Sequence, residues 1–167
     1  MIDTLEKTKS LSSICDWQKS QQKSEIGSAI EIAGIIEEGI AFRANCKPDL
    51  PEECVTILLL AETKKRQRAF ARIDWRGQRH INTNKKLCAS YWGDDAGRSH
   101  FHDPRLHAHI DDEILFDTQH IDLPIARKLD YEPKDFNQLL EYSAKILKIE
   151  NLTDLPYPPW PTTPSFL

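Results

Sequence analysis

No apolar run in this sequence approaches the roughly 20 residues that cross a bilayer as a helix. The longest, Val55–Ala61, is broken by Thr56 and has the length of a strand. The N-terminus, MIDTLEKTKS, lacks the basic-then-apolar order of a secretory signal. These absences predict no membrane partner and a cytoplasmic location. Cys15, Cys46, Cys54 and Cys88 include no C-x-x-C pair, which argues against a cysteine zinc site. In a reducing compartment they are expected as free thiols. Glycine is scarce, six residues against ten prolines, and the prolines crowd toward the C-terminus. There is no internal repeat, no H-E-x-x-H, no nucleophile elbow and no phosphate-binding loop.

What is present fits one domain of ordinary composition. The chain has 167 residues, 40% hydrophobic and 29% charged, which is long enough to bury a core without a metal or disulfide. The net charge of −4 hides an asymmetry. Between Lys64 and Lys86 stand nine Lys/Arg and one acid, Asp74, so this segment carries +8 and the remainder −12. Its distribution, not its total, is what suggests an acidic partner.

Periodicity predicts an α+β fold: an antiparallel meander of about five to six strands packed against N- and C-terminal helices. Leu5, Leu11, Ile14 and Trp17 suggest a short helix within 1–22. Ile26, Ala29, Ile30, Ala33 and Ile36 have helical spacing and predict a helix over Ser24–Glu38, stopped by Gly39. Strands are predicted at Ile40–Lys47, Cys54–Ala61 and Gln67–Trp75, where apolar and polar residues alternate or run apolar. Further short strands are expected around Phe101, at Leu106–Ile110, at Ile114–Phe116 and at His120–Leu123. Pro133–Ile149 predicts a second helix, with Phe136, Leu139, Leu140 and Leu147 on one side. The expected divisions are a helical segment 1–39, an α+β core 40–150 and a proline-rich tail 151–167 anchored by Tyr157 and Trp160.

The concentrated chemistry is histidine. His100, His102, His107, His109 and His120 fall within 21 residues, and His80 precedes them. On a strand, His100 and His102 would project from one face about 7 Å apart, with Phe101 turned toward the core. Joined by His80 or Asp103, they would suit a divalent metal. They would equally suit acid–base work, because imidazole titrates near neutral pH. His107 and His109 read as the wet side of another strand.

Beside them, Arg66, Arg68, Arg72 and Arg76 recur at period two and predict a guanidinium row on one face of the third strand. Phe70 lies within the row, where it would stack on a base. Planar guanidinium forks suit phosphate. The competing expectation is internal pairing with acids at Asp111–Glu113 or on the C-terminal helix.

The string Arg72-Ile73-Asp74-Trp75, then His80-Ile81-Asn82, then His100-Phe101-His102, resembles a pattern of short prokaryotic proteins of undefined activity. There an R-[IL]-D-W strand leads to H-x-N and a later H-x-H. The resemblance runs over roughly residues 40–160, through Leu123-Pro124 to Pro158-Pro159-Trp160. It implies Arg72, Asp74, His80, Asn82, His100 and His102 as one constellation; His107-x-His109 lies outside the pattern.

Three functions follow as expectations. The first is a small binding or regulatory protein, of the kind carried on mobile elements. It would engage nucleic acid or an acidic protein surface through residues 64–86, using Arg66, Arg68, Phe70, Arg72, Trp75, Arg76 and Asn82. The second is a metal-independent, toxin-like ribonuclease with His80 and His100 or His102 as the acid–base pair. Asp74 would orient an imidazole and Arg72 would stabilise developing charge. The third is a histidine-based divalent metal site at His100 and His102. No other cofactor is expected.

Overall fold

The computed structural model describes residues 2–63, 66–110 and 123–161. The chain runs α1 (Ile2–Glu6), β1 (Ser10–Leu11), β2 (Gln18–Lys19), β3 (Ser24–Ile32), β4 (Ile35–Cys46), β5 (Val55–Glu62), β6 (Gln67–Trp75), β7 (His80–Ile81) and α2 (Lys85–Cys88). It continues through β8 (Asp95–Gly97), β9 (His100–His102), β10 (Arg127–Lys128) and α3 (Phe136–Leu147). Among the described residues, eight strands form one sheet in the order β1-β3-β4-β5-β6-β9-β10, with β2 also paired to β3. Every strand pair in that sheet is antiparallel. β7 and β8 make a separate two-stranded ribbon. This is the expected α+β class, with a larger sheet than periodicity suggested.

Three of the added strands, β1 to β3, come from the N-terminal segment expected as helical. Residues 24–46 form a β3–β4 hairpin whose two-residue turn is Ala33-Gly34, with φ of 53° and 77°. Positive φ at both turn positions matches the right-handed twist of paired strands, which is why such turns close hairpins. Ile26 and Ile30 are both buried, as predicted, but a spacing of four satisfies period two as well as period 3.6. Between Ala29 and Glu31 the register shifts, Ala29 pairing with Ala41 and Glu31 with Ile36, so β4 carries extra residues there and its alternation is broken while that of β3 continues. Helix α1 covers only Ile2–Glu6 of the N-terminal segment, and the buried Lys9 ammonium caps it by donating to the Thr4 and Leu5 carbonyls at 2.8 and 2.9 Å.

One face of the sheet packs on α3. Phe42, Ala44, Ile57, Leu59, Ala71, Ile73 and Phe101 join Phe136, Leu139, Leu140 and Leu147 in the main core. Asp135 caps α3 by accepting from the Gln138 amide at 2.9 Å, and Lys148 ends it in a left-handed conformation. Pro133 lies before the cap rather than in the first turn. Its carbonyl accepts from Trp75 Nε1 and Arg76 Nη2, both at 3.2 Å, which ties α3 to the end of β6. The tail folds back on the domain: Trp160 donates to the Lys47 carbonyl at 3.0 Å, and Tyr157 and Trp160 stack edge-on against Phe136.

A smaller apolar group, Cys88, Ile110, Leu123 and Ile125, packs with Leu87, Leu106 and Ala69. It anchors α2, a 3-10 turn over Pro104–His107 and the segment 123–126. The strand expected at 106–110 is therefore absent. Those expected at Ile114–Phe116 and His120–Leu123 fall mostly outside the described residues, as do His120 and Asp111–Glu113.

Candidate metal centre

The β6–β9 pairing builds the site. Its register sets Arg72 opposite His102, Ile73 opposite Phe101, and Asp74 opposite His100. Phe101 is buried in the main core, so alternation along β9 sends both flanking histidines to the other face. His80 arrives from outside the sheet: it pairs with Gly97 in the β7–β8 ribbon, which leads directly into β9.

The three rings form a nearly equilateral triangle. Centroid separations are 5.2 Å for His80–His100, 4.9 Å for His80–His102 and 5.0 Å for His100–His102. One ring nitrogen from each lies within 4.8 Å of the others. His100 and His102 are 2% and 1% exposed, while His80 is half-buried.

Hydrogen bonds fix two of the tautomers. His100 Nδ1 lies 3.1 Å from the Gly97 carbonyl, which can only accept, so Nδ1 carries a proton and, in the neutral ring, Nε2 holds the lone pair. His80 Nε2 faces Asn82 Oδ1 at 3.1 Å and the Pro124 carbonyl at 3.3 Å. The Asn82 amide is itself oriented, because its Nδ2 donates to the Ala126 carbonyl and its Oδ1 accepts from the Ala126 amide. His80 Nε2 is therefore the donor, and Nδ1 is its free nitrogen. His102 has no hydrogen bond at either nitrogen, and His100 Nε2 has none either. Three buried imidazole nitrogens, one on His100 and two on His102, thus make no well-directed hydrogen bond.

Asp74 sits against them. Its Oδ2 lies 3.1 Å from His100 Nε2 and 3.6 Å from His102 Nε2, and accepts from Arg72 Nε at 2.6 Å. Its Oδ1 accepts from the Thr56 hydroxyl at 2.8 Å. Burial alone would raise this carboxyl, but the His100 and His102 imidazoles and the Arg72 guanidinium overcome it and hold Asp74 well below the usual carboxylate range. Burial lowers His102, and burial followed by the neighbouring His100 lowers His80. An anionic oxygen 3.1 Å from a ring nitrogen calls either for a proton on that nitrogen or for a cation between them.

The site opens on a cleft of about 790 Å³. His80, His100, Asp74, Arg72 and Thr56 line its floor, and Lys23, Lys47 and Arg79 stand around it. His102 does not reach the cleft.

Other candidate residues are placed elsewhere. Asn82 is fully buried and clamps Ala126, so it positions the segment 123–126 rather than meeting a ligand. Trp75 is fully buried with its indole spent on Pro133. Arg76 stacks on Trp75 at 4.4 Å and donates to the Glu52, Pro133 and Lys134 carbonyls. The arginine row does not form. The β5–β6 register shifts so that Leu59 faces Ala71 and Leu60 faces Ala69, and the extra residue, Phe70, is buried in the main core. The bulge reverses parity: Arg72 stands opposite Leu58, whereas Arg68 stands opposite Ala61, and Arg66 precedes the strand. Phe70 therefore cannot stack on a base.

His107 is not on a wet strand face. It is buried, donates from Nδ1 to the Asp103 carbonyl at 2.9 Å and accepts at Nε2 from the Ile125 amide at 3.0 Å. His109 is exposed, as expected. The Asp103 carboxylate is engaged by Arg105 rather than by the histidine triangle. Thr56 was not singled out, although it is the one polar break in the apolar run of β5 and lies opposite Asp74. Lys47 has no such signal. No protein family, curated protein or solved structure matches the chain.

Proposed function

We propose that His80, His100 and His102 hold one divalent transition-metal ion of the zinc class, and that the protein acts as a metal-dependent hydrolase on ligands entering the cleft. The triangle of rings carries this reading. With a metal–nitrogen bond of about 2.0–2.1 Å, three imidazoles in tetrahedral array place their centroids about 5.2 Å apart, and the observed separations are 4.9 to 5.2 Å. The nitrogens, within 4.8 Å of one another, would draw closer by ring rotation.

The chemistry of the donors supports it. A bound ion would take up the orphaned nitrogen of His100 and one of the two on His102. The Gly97, Asn82 and Pro124 acceptors fix ring orientation, as outer partners of metal-bound histidine do. Imidazole is a favoured ligand of zinc and its late first-row neighbours. Three protein nitrogens leave a position for water or substrate, and such an ion lowers the pKa of water toward neutrality. Asp74, held anionic by Arg72 and Thr56, balances the ion's charge. His102 does not line the cleft, which favours a ligand role for it over direct acid–base work on a substrate.

Metal analysis of protein bearing no histidine tag tests this. Loading with zinc or cobalt should give one ion per chain, with cobalt producing the visible absorption of a four-coordinate site. His100→Ala and His102→Ala should each abolish retention, and His109→Ala should not. A folded protein that retains none of zinc, cobalt, nickel, iron or manganese overturns the reading. RNA cleavage unaffected by chelator would return the function to metal-free catalysis by His80.

A further inference from the structure

We infer that the cleft takes a phosphate ester, gripped by its phosphate oxygens beside the metal; the inference rests on the metal-centre reading and names its substrate class. Cations outnumber acids among the residues lining the cleft. Lys23, Lys47, Arg72 and Arg79 line it, and Asp74 is the one acid among the lining residues. Two of these cations are partly used: Lys23 pairs with Glu25 at 2.6 Å and Arg79 with Asp95 at 2.6 Å. Those pairs are at the surface, where solvent screens the attraction and the cation yields readily to a ligand.

Lys47 and Arg72 are better placed. No ion pair to Lys47 occurs among the described residues. Arg72 gives only Nε to Asp74, and its two η nitrogens make no hydrogen bond among the described residues. Asp74 thus locks the guanidinium in orientation while its outer edge, on a side chain 32% exposed, stays available. A planar fork held rigid beside a divalent ion suits the tetrahedral oxygens of phosphate, which can bridge ion and guanidinium. A carboxylic ester or amide offers no negative charge for Lys47 and Arg72 before reaction, so their placement would go unused. In the reaction, a water oxygen bonds to phosphorus as the ester P–O bond breaks. The departing alcohol leaves with one of the water's protons.

The test uses full-length protein loaded with zinc, and three probes: p-nitrophenyl phosphate, bis(p-nitrophenyl) phosphate and p-nitrophenyl acetate. Turnover of either phosphate probe, inhibited competitively by orthophosphate, is expected; which of the two is faster separates monoester from diester substrates. Lys47→Ala and Arg72→Lys should each raise KM or the orthophosphate inhibition constant about tenfold while ion content stays at wild-type level. Turnover confined to the acetate, or orthophosphate that neither binds nor inhibits the loaded protein, overturns the phosphate inference and leaves the metal reading standing. If no ion is retained, the metal reading falls. Orthophosphate calorimetry on that protein then decides the cleft, with Lys47-dependent binding supporting a phosphate site and no binding overturning it.

Discussion

Protonating His107 should unfasten the segment that carries the Pro124 carbonyl to His80. At neutral pH the His107 ring is neutral: Nδ1 donates to the Asp103 carbonyl and Nε2 accepts from the Ile125 amide. A second proton would have to sit on Nε2, facing that N–H, in a place only 2% exposed. Burial, joined by the neighbouring His102 and His109, depresses the group from 6.5 to about 4. The sign follows from proton counts. Below pH 6.5 the unfolded chain binds a proton at this ring that the folded chain refuses, so stability falls with pH until the folded ring also titrates near pH 4. The full loss across that window is about 3 kcal/mol, a large share of the 5–15 kcal/mol that typically separates folded from unfolded domains. Urea denaturation from pH 7.5 to 4 would measure it. His107→Gln should be less stable than wild type at pH 7.5 by about 1–3 kcal/mol, because the Ile125 amide is left buried and unpaired. Its stability should then decline less steeply below pH 6.5. Nitrogen-15 NMR of the imidazole should show the proton on Nδ1. If the folded ring titrates near 6.5, or wild type and variant lose stability in parallel, the latch does not exist.

Asn82→Ala should cost about 2–4 kcal/mol, since both main-chain groups of Ala126 lose their partner. Hydrogen exchange should accelerate at residues 123–128, and metal affinity should weaken because His80 loses an acceptor; unchanged exchange there would refute the clamp. Phe70→Ala should cost about 3–5 kcal/mol in chemical denaturation and leave phosphate affinity unchanged. A variant of wild-type stability that bound RNA less well would restore Phe70 to a binding surface.

The meander β4–β5–β6 was legible because those strands keep strict alternation or a continuous apolar run, and one period governs each. The hairpin at 24–46 was not. Ile26 and Ile30 fit both periods, and the extra residues that β4 carries between Ile36 and Ala41 break the alternation that would have marked the second strand. The same kind of irregularity undid the arginine row: a single bulge at Phe70 sends Arg68 and Arg72 to opposite parities, and no spacing in the sequence announces it. His107 escaped for another reason. Its partners are a carbonyl four residues back and an amide eighteen residues on, and backbone groups leave no mark in a sequence.

By itself the sequence determined the strand that holds Arg72 and Asp74, the alternation that puts His100 and His102 on one side of Phe101, and the absence of a membrane-length apolar run. Those are local properties, set by side-chain period along one segment. Tertiary structure alone decided that His80 completes a triangle with them, that Asp74 rather than Asp103 sits against the rings, and that Lys47 overlooks the cleft. These depend on the β6–β9 register and on how the β7–β8 ribbon enters β9, pairings between segments tens of residues apart that the period of neither segment encodes.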